Sequence, residues 1–385
     1  MLNFDFYNPT RIVFGRDRLA ELSTLVPAGA RVLLVYGGGS ARKYGTLDKV
    51  TKALGSRVIY EFGGIEPNPR YETCMRAVEA ARAENLDFIL AVGGGSVIDA
   101  AKFIGLAAKY RGEASNLFFD HAAVSGLNSS IPLGTVLTLP ATGSEMNNNA
   151  VISYNHGKWP VYQDLNFPVF SILDPALTFT LPRRQIVNGI IDSFAHVLEQ
   201  YLTYPVGAAV QDRLAEGILQ VLLEFGPRSL AEPENYEVRA NIVWAATLSL
   251  NRLIGAGVPQ DWSSHRIGHE LTAMFGIDHG LSLAVTFPSV MEIRRSQKRA
   301  KLLQYARRVF KLEEKDEEAA IDAAISKTRQ FFESLGAKTR LADYGITAVQ
   351  LPDLAENLRA HGWIALSEHK DLTPEISLAI LKNAL

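Results

Sequence analysis

Asp87-Phe88-Ile89-Leu90-Ala91-Val92-Gly93-Gly94-Gly95-Ser96-Val97-Ile98-Asp99-Ala100-Ala101-Lys102 is the stretch whose reading decides the fold. Phe88 to Val92 reads as a short apolar strand that runs straight into three glycines, with a helix following. Glycines let a backbone come close to a diphosphate, and the N-terminus of the next helix offers free N–H groups and a positive dipole end. Ser96 adds a hydroxyl donor. The same residues also read as a tight strand–helix turn without a ligand, in which Ser96 simply caps the helix. The stretch departs from G-x-G-x-x-G, because Ile98 stands where the last glycine would be.

Working outward, Val32 to Tyr36 is a second short apolar strand ending in Gly37-Gly38-Gly39. Val58 to Tyr60 and a helix near Tyr71 to Arg82 fit the crossover between the two strands, and Thr135 to Leu139 and Val169 to Leu173 read as further strands. Strands alternating with helices predict a parallel sheet covered by helices. After Pro182 the spacing of apolar residues becomes helical, through Ile186–Thr203, Val210–Phe225, Val238–Leu250 and Ser264–Met274, and again from Lys298 to Leu335. Proline and glycine punctuate the gaps, and the charge-rich Lys311–Glu318 reads as a solvated helix start. The expected organisation is an α/β domain over residues 1–180 and an all-helical domain over 181–385, with the boundary near Asp174–Pro182.

Two further stretches bear on a cofactor. At Gly37-Gly38-Gly39-Ser40-Ala41-Arg42-Lys43 no acidic residue stands ready to accept a ribose 2′-hydroxyl, as NAD sites usually require. Gly37 and Gly38 leave room, Ser40 can donate, and Arg42 and Lys43 can pair with a 2′-phosphate, which favours NADPH. Two exposed basic residues that merely start a helix would look the same. Thr138-Leu139-Pro140-Ala141-Thr142-Gly143-Ser144-Glu145 carries hydroxyls able to bond phosphate or the nicotinamide ribose, and Lys158 follows within reach of a ribose. A ligand-free polar loop and a solvated lysine are the plainer readings of each alone.

The metal-ligand pattern lies in the helical half. Asp192 and His196 are one helical turn apart and share a face; His265 and His269 repeat the spacing, and His279 follows. One carboxylate and imidazoles without thiolate suit Fe²⁺ or Zn²⁺ and argue against a cysteine-rich structural zinc site. Glu270 and Asp278 are nearby carboxylates available to support the histidines, or else simply exposed.

Composition sets the class. The chain has 385 residues, 47% hydrophobic and 21% charged, as an ordinary globular enzyme of about two domains does. A net charge of −2 gives no reason to expect nucleic acid or an anionic membrane as partner. The apolar runs are too short to span a bilayer, and Met1-Leu2-Asn3-Phe4-Asp5-Phe6-Tyr7 does not read as a secretory signal. Cys74 is the single cysteine, which excludes an internal disulfide and fits a reducing, cytoplasmic setting.

In order along nearly the whole chain, Gly63-Gly64-Ile65-Glu66-Pro67-Asn68-Pro69, Gly93-Gly94-Gly95-Ser96, the Thr138–Glu145 stretch and the Asp192/His196/His265/His279 set resemble the iron-containing (group III) alcohol dehydrogenase family. Leu253-Ile254-Gly255-Ala256-Gly257-Val258-Pro259-Gln260-Asp261-Trp262 looks like its butanol-dehydrogenase branch. The resemblance implies a Rossmann-like dinucleotide-binding domain followed by an all-α domain, the dehydroquinate synthase-like architecture, with metal and nicotinamide meeting in the cleft. By motif position it implies Asp192, His196, His265 and His279 as ligands and His269 as a non-ligand histidine able to relay a proton. Gly94, Gly95, Ser96 and Asp99 would surround the pyrophosphate and nicotinamide ribose, with Thr138, Thr142 and Lys158 completing the site. Many NAD-using members carry an aspartate near Gly38; this chain departs there, in keeping with NADPH. Members of the branch are often homodimers, and a strand around Arg11 to Phe14 would pair across such an interface.

The implied reaction is reversible reduction of short-chain aldehydes to primary alcohols, with the metal polarising the carbonyl, hydride from nicotinamide C4, and a proton from water or through His269. Trp244, Leu248, Ile254 and Trp262 are apolar candidates for the substrate cleft, or simply core. One rival is a related enzyme acting on phosphorylated polyols, of the glycerol-1-phosphate dehydrogenase or dehydroquinate synthase type. It would need basic residues near the metal, where only Arg266 appears. The other is a non-catalytic nucleotide- or metal-binding protein, against which the complete ligand set argues.

Overall fold

The computed structural model describes all 385 residues. Eight strands are formed: β1 (Arg11–Phe14), β2 (Arg31–Gly37), β3 (Val58–Ile65), β4 (Phe88–Gly94), β5 (Leu133–Leu139), β6 (Asn149–Tyr154), β7 (Gly157–Tyr162) and β8 (Phe170–Leu173). Six of them make a parallel sheet in the order β1-β8-β5-β4-β2-β3. Its central strands are apolar without interruption because both faces are covered. Leu33, Val35, Ile89 and Ala91 face Cys74, Ala77, Val78, Ile98 and Phe103. Val32, Leu34, Phe88 and Leu90 face the other way, onto Leu22, Leu47, Val50 and Leu54.

β6 and β7 form a separate antiparallel hairpin. Its two-residue turn, Asn155-His156, has both residues at positive φ (45° and 61°), the backbone that matches strand twist in tight hairpins. The spacing of apolar residues did not announce this hairpin.

The chain divides into two compact units. The first contains Tyr7–Leu181 and also Glu234–Thr247; the second contains Met1–Phe6, Pro182–Pro233 and Leu248–Leu385. Val243, on the helix Tyr236–Ser249, is part of the core on one face of the sheet, and Trp244 packs edge-on to Phe14 at 6.2 Å. Trp244 is therefore a neighbour of the first strand within that unit.

The second unit is helical: Arg183–Tyr201, Ala209–Ala231, Ser263–Phe275, His279–Ile293, Arg295–Arg308, Glu317–Ser334, Leu351–Ala360 and Pro374–Asn383. The helical region expected from Lys298 to Leu335 is two helices, the second starting within the charge-rich Lys311–Glu318 stretch, where Asp316 caps it through a bond from Ala319 N. No helix is long and apolar enough to cross a membrane.

Candidate metal and cofactor sites

Three helices of the second unit carry the candidate metal ligands. Asp192 and His196 lie on Arg183–Tyr201, His265 near the start of Ser263–Phe275, and His279 at the start of His279–Ile293. Two glycines let these helices approach. A Cβ on Gly280 would lie 2.4 Å from the Asn188 carbonyl oxygen, and one on Gly268 would lie 2.7 Å from Ser282 Oγ. The result is convergence: the Nε2 atoms of His196, His265 and His279 lie 3.6, 3.8 and 3.4 Å from Asp192 Oδ1. One ligand atom from each of Asp192, His265 and His279 falls within 4.8 Å of the others. Asp192, His196 and His265 are buried and His279 is half-buried.

Asp192 Oδ1 and His265 Nε2 are both buried and make no hydrogen bond within the protein. Buried polar atoms are normally paired, and these two face a common point among nitrogen and oxygen donors. The residues present thus fit a divalent ion such as Fe²⁺ or Zn²⁺. Burial alone would raise the Asp192 carboxyl, but the imidazoles of His196, His279 and His265 outweigh it and hold its pKa well below the usual carboxylate range. Burial likewise works to lower His265, and the carboxylates of Asp192 and Glu199 overcome it, so its pKa is raised.

The carboxylate that orients His265 is Glu199. His265 Nδ1 lies 2.8 Å from Glu199 Oε1, which also accepts from the His265 backbone N at 3.0 Å, while Glu199 Oε2 accepts from Trp262 N at 2.9 Å. One fully buried side chain thereby fixes the ring and the start of its helix, directing Nε2 toward Asp192. Trp262 precedes that helix in the left-handed region (φ 65°) and sets its ring edge-on to His265 at 5.2 Å. The expectation for Glu270 and Asp278 is corrected. Glu270 pairs with His361 Nδ1 at 2.8 Å, and Asp278 pairs with Arg184 and accepts from Asn188. The missed residue had a sequence signal: Glu199 lies three positions after His196, on the neighbouring turn of the same helix. His269 stands beside the cluster, its ring 5.0 Å from that of His279 and 6.5 Å from that of His265.

The candidate cofactor residues gather at the carboxyl edge of the first unit's sheet. β4 ends at Gly94, and the helix Gly95–Lys109 starts without a break. A Cβ on Gly95 would lie 2.3 Å from Thr142 Oγ1, so the turn is pressed against the Thr138–Glu145 loop that leaves β5. Asp99 is committed within the protein: Oδ1 accepts from Ser144 Oγ at 2.6 Å and Oδ2 from Val151 N at 3.0 Å. Lys158 on β7 donates to Asn68 Oδ1 at 2.9 Å, and Asn68 N donates to Ser96 Oγ at 3.3 Å. Asn68, which sequence reasoning passed over as an active group, is thus the link that draws Lys158 to the glycine turn. Behind the turn, Lys102 is buried and donates to Ser144 Oγ, Asn147 Oδ1 and the Asn149 carbonyl at 2.8–2.9 Å. Burial pushes its pKa down to about 8.

Gly37 closes β2, next to β4 in the sheet, so the two glycine turns leave adjacent strands on the same edge. A Cβ on Gly38 would meet nothing within 4 Å, so protein packing does not require glycine there, and the turn has room for a ligand's approach. Ser40 and Lys43 are exposed on the short helix that follows. Arg42, on the same helix, pairs through its guanidinium with Glu61 and donates to Tyr36 Oη at 2.8 Å. Glu61 reaches Arg42 from β3, outside the glycine motif.

The sequence matches the iron-containing alcohol dehydrogenase family over residues 9–175 and that family's C-terminal region over 186–385. The chain belongs to the iron-containing alcohol dehydrogenase family. Within it, the chain is 51% identical to the NADPH-dependent aldehyde reductase YqhD of Escherichia coli K12, with 100% of both chains covered. It is 41% identical to a probable NADH-dependent butanol dehydrogenase of Bacillus subtilis, again with 100% of each covered. Among solved structures, the substrate- and cofactor-free form of aldehyde reductase YqhD from E. coli superimposes with a TM-score of 0.94 at 49% identity, covering 100% of both chains. The NADH-dependent butanol dehydrogenase A of Thermotoga maritima gives 0.93 at 34%, covering 100% of this chain and 99% of that one. These matches establish the α/β-plus-helical fold expected from the sequence.

Proposed function

We propose that this alcohol dehydrogenase family member is a metal-dependent, NADPH-linked reductase of short-chain aldehydes, working reversibly on the corresponding primary alcohols. The observation that carries the proposal is the convergence of the three imidazole Nε2 atoms on Asp192 Oδ1. The full-length likeness to an aldehyde reductase supports the substrate class.

Asp192, His196, His265 and His279 would hold the ion, either Fe²⁺ or Zn²⁺. When bound, the ion supplies Lewis acidity to the substrate carbonyl and the nicotinamide supplies hydride from C4. The chain's own part is positioning. Glu199 locks His265, and burial of Asp192 keeps water from competing for its oxygen. His269, beside His279 with its ring half-exposed, is the residue proposed to pass a proton to the product oxygen, directly or through water. Gly94, Gly95 and Ser96 would seat the pyrophosphate at a helix N-terminus. Thr138, Thr142 and Lys158 would contact the nicotinamide ribose, and Gly37, Gly38, Ser40 and Lys43 the adenosine end. Asp99 acts by holding Ser144 and Val151 in place.

A phosphorylated-polyol substrate is disfavoured by the engagement of the nearby cations. Arg266 stacks on Trp363 with its guanidinium 4.0 Å from the ring centre, and Arg184 pairs with Asp278. β1 is bonded to β8 within its own sheet, and as an edge strand it keeps its other side for a second copy of the chain, which supports a homodimer.

The test is oxidation of NADPH and of NADH with butanal by protein purified without air, after chelation and after restoring Fe²⁺ or Zn²⁺. The expected result is metal-dependent turnover that prefers NADPH. A His265→Ala variant that loses its metal yet keeps its activity would overturn the proposal.

A further inference from the structure

We infer that Glu61 sets the cofactor preference of this chain by holding Arg42, so that Glu61, Arg42 and Tyr36 act together as a discriminator between NADPH and NADH. This rests on the proposed nicotinamide cofactor. From β2 the chain runs outward to β3, whereas from β4 it runs the opposite way, to β5 and β8. Strand order therefore reverses between β2 and β4, and open parallel sheets bind ligands at the carboxyl ends of their strands at such a reversal. In dinucleotide folds the acid that accepts the ribose 2′-hydroxyl stands about 20 residues past the glycine turn. Glu61 stands at about that distance past Gly37–Gly39, on the neighbouring strand, where it is in register with Leu34.

Here that carboxylate is already occupied. Arg42 pairs with Glu61 and donates to Tyr36 Oη at 2.8 Å, while Tyr36 Oη donates to Glu61 Oε2 at 3.1 Å. Tyr36 is held from beneath: a Cβ on Gly63 would lie 2.4 Å from its ring, so only glycine lets the ring lie there. Glu61 and Tyr36 are thus fixed on strands. Arg42 belongs to the short helix Ser40–Lys43 and is half-exposed. An exposed ion pair contributes little net stability and exchanges readily, and a guanidinium gains more from a 2′-phosphate dianion with its matched oxygens. Arg42 would leave Glu61 for the phosphate of NADPH, and with NADH it stays paired. Glu61 therefore competes with the phosphate for Arg42, which weakens the preference for NADPH below what Arg42 alone would give.

Binding without turnover tests this. The affinities of 2′,5′-ADP and 5′-AMP are measured by titration calorimetry, and those of NADPH and NADH by fluorescence, on the full chain. Wild type is expected to favour the 2′-phosphorylated member of each pair. Glu61→Gln should raise that ratio about 3-fold, the scale of a partly exposed charge pair. Arg42→Ala should lower it about 10-fold, and the double variant should match Arg42→Ala, because Glu61 acts through Arg42. Both side chains are half-exposed, so neither change disturbs the core. A ratio unchanged by Glu61→Gln, or raised equally with and without Arg42, overturns the inference while leaving the NADPH reading intact. Failure of wild type to bind any of the four nucleotides overturns both.

Discussion

Glu199→Gln isolates the support of the proposed metal ligand from the ligand itself. The carboxylate receives three N–H groups, from His265 Nδ1 at 2.8 Å, His265 N at 3.0 Å and Trp262 N at 2.9 Å. Glutamine keeps the shape but offers one oxygen, and its NH₂ must face one of those donors. If the oxygen stays with His265, Trp262 N is left against an amide, a buried unsatisfied donor costing about 1–3 kcal/mol of fold stability. His265 also loses the negative charge that makes its ring a stronger donor to a cation. Loss of such outer partners typically lowers metal affinity about 10- to 100-fold, equivalent to about 1.4–2.7 kcal/mol. Zn²⁺ competition against a chromogenic chelator gives the affinity, and urea unfolding of the metal-free variant gives the stability separately. Glu199→Asp, which keeps the charge but retracts it by one methylene, should fall between wild type and Glu199→Gln. A Glu199→Gln protein that unfolds cooperatively and binds Zn²⁺ within about twofold of wild type would refute the reasoning.

Three further outcomes follow from geometry already described. Gly95→Ala places a methyl 2.3 Å from Thr142 Oγ1 and should destabilise by about 1–3 kcal/mol, while Gly38→Ala, open on all sides, should leave the melting temperature unchanged; equal effects would contradict the packing. His269→Ala should lower turnover about 100-fold or more with Zn²⁺ affinity kept, and loss of the metal instead would make His269 a ligand. Lys102, held down to about 8 by burial, binds its proton less tightly folded than unfolded. Stability should therefore rise from about pH 8 to the ordinary lysine range, by up to about 3 kcal/mol, and Lys102→Met should flatten that rise; an unchanged slope in denaturant titrations across this window would count against it.

The sheet and the Asp192/His196 pair were legible because each rests on local spacing. Phe88–Val92 and Val32–Tyr36 are apolar runs closed by glycine, and Asp192 and His196 are one turn apart. Contacts made between elements were harder to read. Glu61 stands 19 residues after Arg42, outside the glycine motif, and the pairing of β2 with β3 brings them together. Glu270 and Asp278 sat beside the histidines in sequence, yet helical rotation pointed them to His361 and Arg184. The hairpin Asn149–Tyr162 escaped because Asn155-His156 supplies its turn without glycine. Helix His279–Ile293 escaped because Pro288 lies within its apolar run.

The interleaving of the two compact units has a consequence for synthesis on the ribosome. Thr247 donates to Glu145 at the end of the Thr138–Glu145 loop, and Val243 completes a core whose other members precede residue 182. The sheet cannot be finished when its last strand emerges; it waits while Pro182–Pro233 is translated and Glu234–Thr247 clears the exit tunnel. Leu2, whose N–H bonds to the Gly257 carbonyl at 2.9 Å, waits longer still. During that interval apolar strand faces are open to chaperones and to one another. Codons that slow translation once Glu234–Thr247 has cleared the exit tunnel would let the sheet close before the remaining helices appear, whereas slow codons before that point would prolong the exposed state and lower the yield of folded enzyme.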